Sequence, residues 1–267
     1  MKKYISFFKI RFINGLQYRV AAYAGIATQI AWGFMHILIF KAFYKGDPHS
    51  FPMEFSQLSS YIWLQQAFLA LFMSWYFDND IFMTITSGNI AYELSRPMDL
   101  YSMWFTKNLA VRLSRAVLRC LPVLLVALLL PEPYGIAPPV SLFGFFMFII
   151  TMVLAFLCVV AFSMFIYIIV FYTLSPMGVR VVATSLIEFL TGSIIPLPFF
   201  PKKLMKIVSL TPFASMQNLP FRIYSGNIAG REMLFGVLLQ LFWVIILILS
   251  GRLWMARALK KVVVQGG

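Results

Sequence analysis

Apolar residues run through this chain in intervals too long and too free of charge for the mixed surface of a soluble fold. A bilayer core of about 30 Å takes about 20 helical residues at 1.5 Å each. Val20 to Phe40 stands between Arg19 and Lys41, and Phe55 to Phe77 between Glu54 and Asp78. From Cys120 to Val179 the only charge is Glu132, and Pro131, Pro133, Pro138 and Pro139 divide that stretch into two segments around a turn. Val181 to Pro201 holds only Glu188, and Met233 to Gly251 holds no charge. The pattern predicts an all-α, polytopic membrane protein with one transmembrane domain over 1–267. Its six spans fall at about residues 20–42, 55–78, 106–130, 140–172, 181–196 and 231–253.

Two stretches depart from a plain span. Arg119 and Glu132 leave too short an apolar interval for the third crossing unless its helix begins earlier, near Trp104. Arg112, Arg115 and Arg119 then share one helix face, by spacings of three and four. That face either snorkels to lipid phosphates or meets water or a partner protein. In residues 1–19, Ile5, Phe8, Phe12 and Leu16 line one face opposite Lys3, Ser6, Asn14 and Gln17, the pattern of an interfacial helix. Lys9, Arg11 and Arg19 interrupt any signal-peptide core there.

Composition agrees with the pattern: of 267 residues, 61% are apolar and 12% charged, against about half and about a quarter in soluble domains. The net charge of +13 would suggest nucleic acid in a soluble protein. Sorted over six spans, fifteen basic residues fall on the side of the termini and seven on the other. By the positive-inside rule both termini are cytoplasmic, the chain sits in the cell inner membrane, and the charge requires no nucleic acid. Five of the seven outer charges, Lys202, Lys203, Lys206, Arg222 and Arg231, cluster between spans five and six. There, Pro196, Pro198, Pro201 and Pro212 bound pieces too short to cross, so residues 196–228 are expected as an outer re-entrant or interfacial segment whose lysines reach lipid headgroups.

Catalytic chemistry is not indicated. His36 and His49 have no acidic partner at ligand or triad spacing, and no phosphate-binding G-x-x-x-x-G-K-[ST] loop is present, so the chain is expected to be no enzyme and to bind no cofactor or metal. Cys120 and Cys158 read as small apolar residues. Asp78 and Asp80 suit helix termination or a salt bridge. Glu188 lies within an apolar span, where a carboxylate costs about 3 kcal/mol, so it should face protein or water. Its readings stay open: a hydrogen bond to a neighbouring helix, a protonated or cation-pairing group in a transport pathway, or a position nearer the interface. Gln65 and Gln66 point about 100° apart, so their helix is surrounded by protein and they serve first as helix glue.

The most specific stretch is the cytoplasmic segment 79–104. Gly88 permits a turn, Ile90 to Leu94 can form a helical turn or two, and Pro97 ends it. A short ordered element protruding from a membrane suits docking into a soluble partner.

These residues bring the chain close to a known family. Gly88, Glu93, Leu94, Arg96, Pro97 and Asp99 after span two, and Pro201, Lys206, Pro212, Phe213, Tyr224 and Gly226 before span six, resemble the permease subunits of the type-2 ABC exporter class, in particular its small six-span members. The resemblance covers the chain in span count and loop order. It implies the membrane half of an ATP-driven exporter, with ATP and magnesium held by a separate ATPase subunit. It implies further that the first helix and the segment Asp80 to Pro97 contact that ATPase, with Asp80, Gly88, Ile90, Glu93, Leu94, Arg96 and Pro97 in the coupling role. Pro196, Pro198, Pro201, Pro212 and Phe213 would form an outer gate. A pathway between bundles implies a second permease, identical or paralogous. An apolar lumen suits a hydrophobic drug, peptide or lipid-like substrate. Two other classes stay open, an ion-coupled secondary transporter and a non-transporting membrane scaffold; the first would call for inverted repeats, and none is evident.

Overall fold

The computed structural model describes residues 1–46 and 51–261, and His49 lies outside them. The described residues form twelve α-helices: α1 (Lys2–Leu16), α2 (Arg19–Gly46), α3 (Phe55–Ala67), α4 (Leu69–Phe72), α5 (Asn79–Thr86), α6 (Ile90–Leu94), α7 (Leu100–Leu129), α8 (Leu142–Thr173), α9 (Pro176–Leu190), α10 (Lys202–Val208), α11 (Asn218–Tyr224) and α12 (Gly230–Leu259). Among these residues there is no strand. Helices α2, α8 and α12 are long and apolar enough to cross a membrane, which marks the chain as membrane-embedded.

The other long helix, α7, has 30 residues, but Lys107, Arg112, Arg115 and Arg119 interrupt its apolar surface. It starts at Leu100, a turn earlier than Trp104, because Asp99 caps it by accepting from the Ser102 amide at 2.8 Å. The expected span at 55–78 is not one continuous helix. It breaks at Phe68, stops at Phe72, and runs on without helix from Met73 to Asp78, through a turn at Ser74 and Trp75. The span expected at 181–196 begins instead at Pro176, with proline at the first helical turn, and ends at Leu190. Its 15 residues reach only about 22 Å. Gly192, at φ +75°, then turns the chain in a conformation that other residues adopt at a cost.

The bundle has two ends. At one, Lys3 donates to the Pro97 carbonyl, the Asp99 amide donates to Tyr4 Oη at 3.0 Å, Arg252 reaches Ser102 at 3.2 Å and Lys261 lies over the Tyr172 ring. At the other, Trp63 Nε1 donates to the Tyr134 carbonyl at 2.8 Å, Lys41 lies over the Tyr134 ring, and Asn227 Nδ2 donates to the Pro52 carbonyl at 3.4 Å. Helix α8 packs along α12 and against α11, and α7 packs against α1, α2, α3 and α4. Close approach of α2 to the bundle depends on glycine: a Cβ on Gly33 would meet the buried Trp63 ring at 2.7 Å.

Between α9 and α12 the chain dips into the bundle and returns. Trp243 Nε1 donates to the Leu210 carbonyl at 3.0 Å, Gln240 Nε2 donates to the Ser215 carbonyl at 2.7 Å, and Cys158 Sγ lies 3.8 Å from the Pro212 carbonyl. Cys158 and Trp243 stand near the middles of α8 and α12, so the stretch from Leu210 to Gln217 sits at that depth. Helix α11 then climbs back, burying Leu219, Phe221 and Ile223 against α8 and α3.

Candidate functional site

Two regions gather the residues that the sequence singles out. The first is the pair of short helices α5 and α6. Asp78 caps α5 by accepting from the Asp80 amide at 3.0 Å, and Lys107 of α7 stands 2.7 Å from Asp78 and 3.3 Å from Asp80. The Lys107 and Asp78 side chains are about one-tenth exposed, so their attraction is screened far less than that of a surface pair. The Asp78 amide also donates to the buried Tyr167 hydroxyl at 2.8 Å. Asp80, itself exposed, is thus held from behind by Lys107.

Gly88 turns the chain between α5 and α6 at φ +73°. Ile90 is buried in the core and anchors α6, so it faces away from any partner. Tyr92 and Leu94 are exposed large apolar side chains on this short element. Glu93 pairs with Arg96 at 3.2 Å, and the exposed Pro97 receives Lys3 from α1 at its carbonyl. The segment is therefore anchored in the core by Ile81, Phe82, Ile85 and Ile90, contacted by α1 and α7, and leaves Tyr92, Leu94 and Arg96 exposed.

The second region is a cleft of 610 Å³ between α2, α3, α7 and α9, lined among others by Gln29, His36, Gln66, Trp75, Arg119 and Glu188. Its walls include backbone that leaves helical geometry, and each such stretch has a side chain answering for it. Gln65 Nε2 donates to the carbonyls of Gly192 and Ser193, at 3.3 and 2.9 Å. Gln217 Nε2 donates to Ser193 Oγ at 2.7 Å. Ser74 Oγ donates to Glu188 Oε1 at 3.1 Å. Non-helical backbone inside an apolar bundle needs protein groups to satisfy it, and the glutamines do this for the turn after α9. Gln65 is helix glue in this literal sense, while Gln66 is buried in the cleft wall.

Arg112 performs the same task for the stretch after α4. Its guanidinium donates to the carbonyls of Leu71, Met73 and Tyr76 at 3.1, 2.9 and 3.0 Å, and to Ser163 Oγ at 3.2 Å. It is fully buried, so the expectation that all three arginines reach lipid phosphates or water is corrected at this position. Arg115 instead stacks over the Tyr76 ring, and Arg119 turns toward α2, where Nη2 donates to the Ala21 carbonyl at 3.3 Å.

Of the outer prolines, Pro196 is buried, Pro198 and Pro212 are half-buried, and Pro201 is exposed at the cap of α10. Phe213 packs on Phe162 of α8 with ring centroids 5.2 Å apart. Lys107, Gln29, Ser74, Ser193 and Gln217 belong to these two regions and carry no motif. Gln29 and Gln217, as uncharged polar residues in apolar surroundings, offered the one signal available, the same that marks Gln65. The chain matches no family model and no curated protein.

Proposed function

We propose that this chain is the permease subunit of an ABC exporter: a six-crossing membrane protein of the inner membrane with cytoplasmic termini, driven by a separate ATPase and paired with a second permease. The observation that carries this reading is the braced pair α5–α6. An element that only terminated a helix would need neither the nearly buried Lys107–Asp78 pair nor the contacts of α1 with Pro97 and Asp99. An element that transmits a push needs such stiffness behind and an apolar contact face in front, here Tyr92 and Leu94. The alternation of helix ends between the two faces of the bundle fits α2, α3–α4, α7, α8, α9 with its continuation, and α12 as six crossings. The inward-dipping α10–α11 segment fits an outer gate, with Pro212 and Phe213 at its deepest part.

Co-purification tests the reading. A tagged full chain, extracted in mild detergent, is expected to bring an endogenous ATPase with it and to raise its ATP turnover. Emergence alone, with export persisting when ATP hydrolysis is blocked, would sink the proposal. The ion-coupled alternative has one observation in its favour, Glu188 at the cleft wall, and persistence of export without ATP is what it requires.

A further inference from the structure

The cleft between α2, α3, α7 and α9 contains polar groups that nothing in the protein uses. Both amide atoms of Gln29 are buried without a hydrogen-bond partner, and the residue is 2% exposed. Leaving such groups unpaired costs about 1–3 kcal/mol each, so the arrangement has the form of a site awaiting a ligand. Arg119 Nε is likewise buried and unpartnered. The guanidinium lies against the backbone of Gly25, where a Cβ would come within 2.5 Å of its carbon, so the glycine keeps room for it.

Two opposite charges share this cleft without neutralising each other. Among the described residues neither Arg119 nor Glu188 stands within 4.0 Å of an opposite charge. Around them Trp32, Trp75 and Ile194 are exposed apolar side chains. The cleft is thus polar at its wall and apolar at its rim, and one wall is α2, a helix long and apolar enough to cross a membrane. A ligand arriving from lipid would leave its apolar part among the rim residues and insert its head. A singly charged head would leave either Arg119 or Glu188, both half-buried, without a counter-charge in the cleft. A head carrying an anion and an ammonium answers both, with phosphate suited to the guanidinium and the Gln29 amide free to bond either.

We propose that the cleft binds the head of a zwitterionic phospholipid, its phosphate toward Arg119 and its ammonium toward Glu188. A volume of 610 Å³ lies within the range of about 300–1,000 Å³ typical of small-ligand sites. As the substrate class of the exporter this rests on the function proposed above; as a binding site it rests on the cleft alone.

The test uses the purified full chain in micelles doped with equal amounts of dioleoyl-phosphatidylethanolamine and dioleoyl-phosphatidylglycerol, and counts the lipid retained per protein by mass spectrometry. The wild type is expected to retain the zwitterionic lipid about tenfold over the anionic one, the preference that one well-made charged hydrogen bond supplies. Glu188→Gln is expected to abolish that preference, because only the zwitterionic lipid carries an ammonium, and Arg119→Gln is expected to lower retention of both lipids, because both carry the phosphate. Gln29→Leu removes the orphaned amide, so it should fold at least as well as the wild type, and it is expected to lose retention. Equal retention of the two lipids by the wild type, or undiminished retention by a folded Gln29→Leu protein, would overturn the proposal. Because no ATPase enters this measurement, failure here leaves the exporter reading standing, and failure to co-purify an ATPase leaves the site standing.

Discussion

Arg112 Nη1 stands 2.9 Å from the carbonyl oxygen of Met73, inside the bundle and out of reach of solvent. The contact ties α7 to backbone that has just left helical geometry after α4, and the neighbouring bonds to Leu71 and Tyr76 complete the tie. A basic residue on an apolar helix is thereby used as a structural bracket, and it fixes the chain that leads directly into Asp78 and α5.

Arg112→Met keeps much of the volume but strands three carbonyls, while the Ser163 hydroxyl keeps its bond to the Val159 carbonyl. Each unsatisfied buried group costs about 1–3 kcal/mol, so the variant is expected to lose several kcal/mol of stability. A thermal scan of the detergent-solubilised protein checks this: a large fall in melting temperature is expected, and an unchanged one would remove the bracket role.

Gln65→Leu and Gln217→Leu attack one turn from two sides, since both side chains meet at Ser193. Each substitution is expected to destabilise by about 1 kcal/mol or more, and the double variant by less than the sum, because residues sharing a partner couple by about 0.5–3 kcal/mol. Strict additivity in the same thermal scan would show the two glutamines to be independent.

Gly33→Leu places a side chain where the Trp63 ring already sits, 2.7 Å from a hypothetical Cβ. Overpacking of this kind costs about 1–3 kcal/mol. Reduced stability together with altered emission from Trp63 is the expected result, and wild-type values of both would show that α2 moves freely away from α3.

Lys107→Met removes the cation that holds both Asp78 and Asp80. Membrane insertion is expected to persist, while stability falls by about 3 kcal/mol, the cost of leaving a nearly buried carboxylate without its partner. Proteolysis between α5 and α6 should accelerate, and an unchanged cleavage rate would show that the pair does not depend on its brace.

The long apolar helices were legible because a crossing leaves a one-dimensional record: twenty-odd residues without charge. The helix over residues 2–16 and the short α6 were legible from apolar spacing and from Gly88 and Pro97 as punctuation, but the inner face of α1 was not: Phe7 packs on the core while Ile5 stays exposed. Arg112 was not, because an arginine whose face is covered by α4 and α8 has the same spacing in sequence as one that snorkels, and only tertiary packing separates them. Ile90 is a similar case: a single turn of helix has an inner and an outer side, and its burial is decided by the core below it. The early end of α9 was not legible, because Thr191, Ser193 and the apolar Ile194 and Ile195 prolong the hydrophobic record past the point where Gly192 turns the backbone.

The central claim, that α5–α6 drives and is driven by an ATPase, is tested most directly by one substitution at its exposed face. Leu94 is 44% exposed, so Leu94→Asp should leave stability within about 0.5 kcal/mol of the wild type. The measurement is the rate of ATP hydrolysis by the co-purified ATPase with wild-type and Leu94→Asp chains in the same lipid. Normal insertion with loss of the permease-stimulated rate is the predicted result. An undiminished stimulated rate, from a protein inserted and folded like the wild type, would contradict the account.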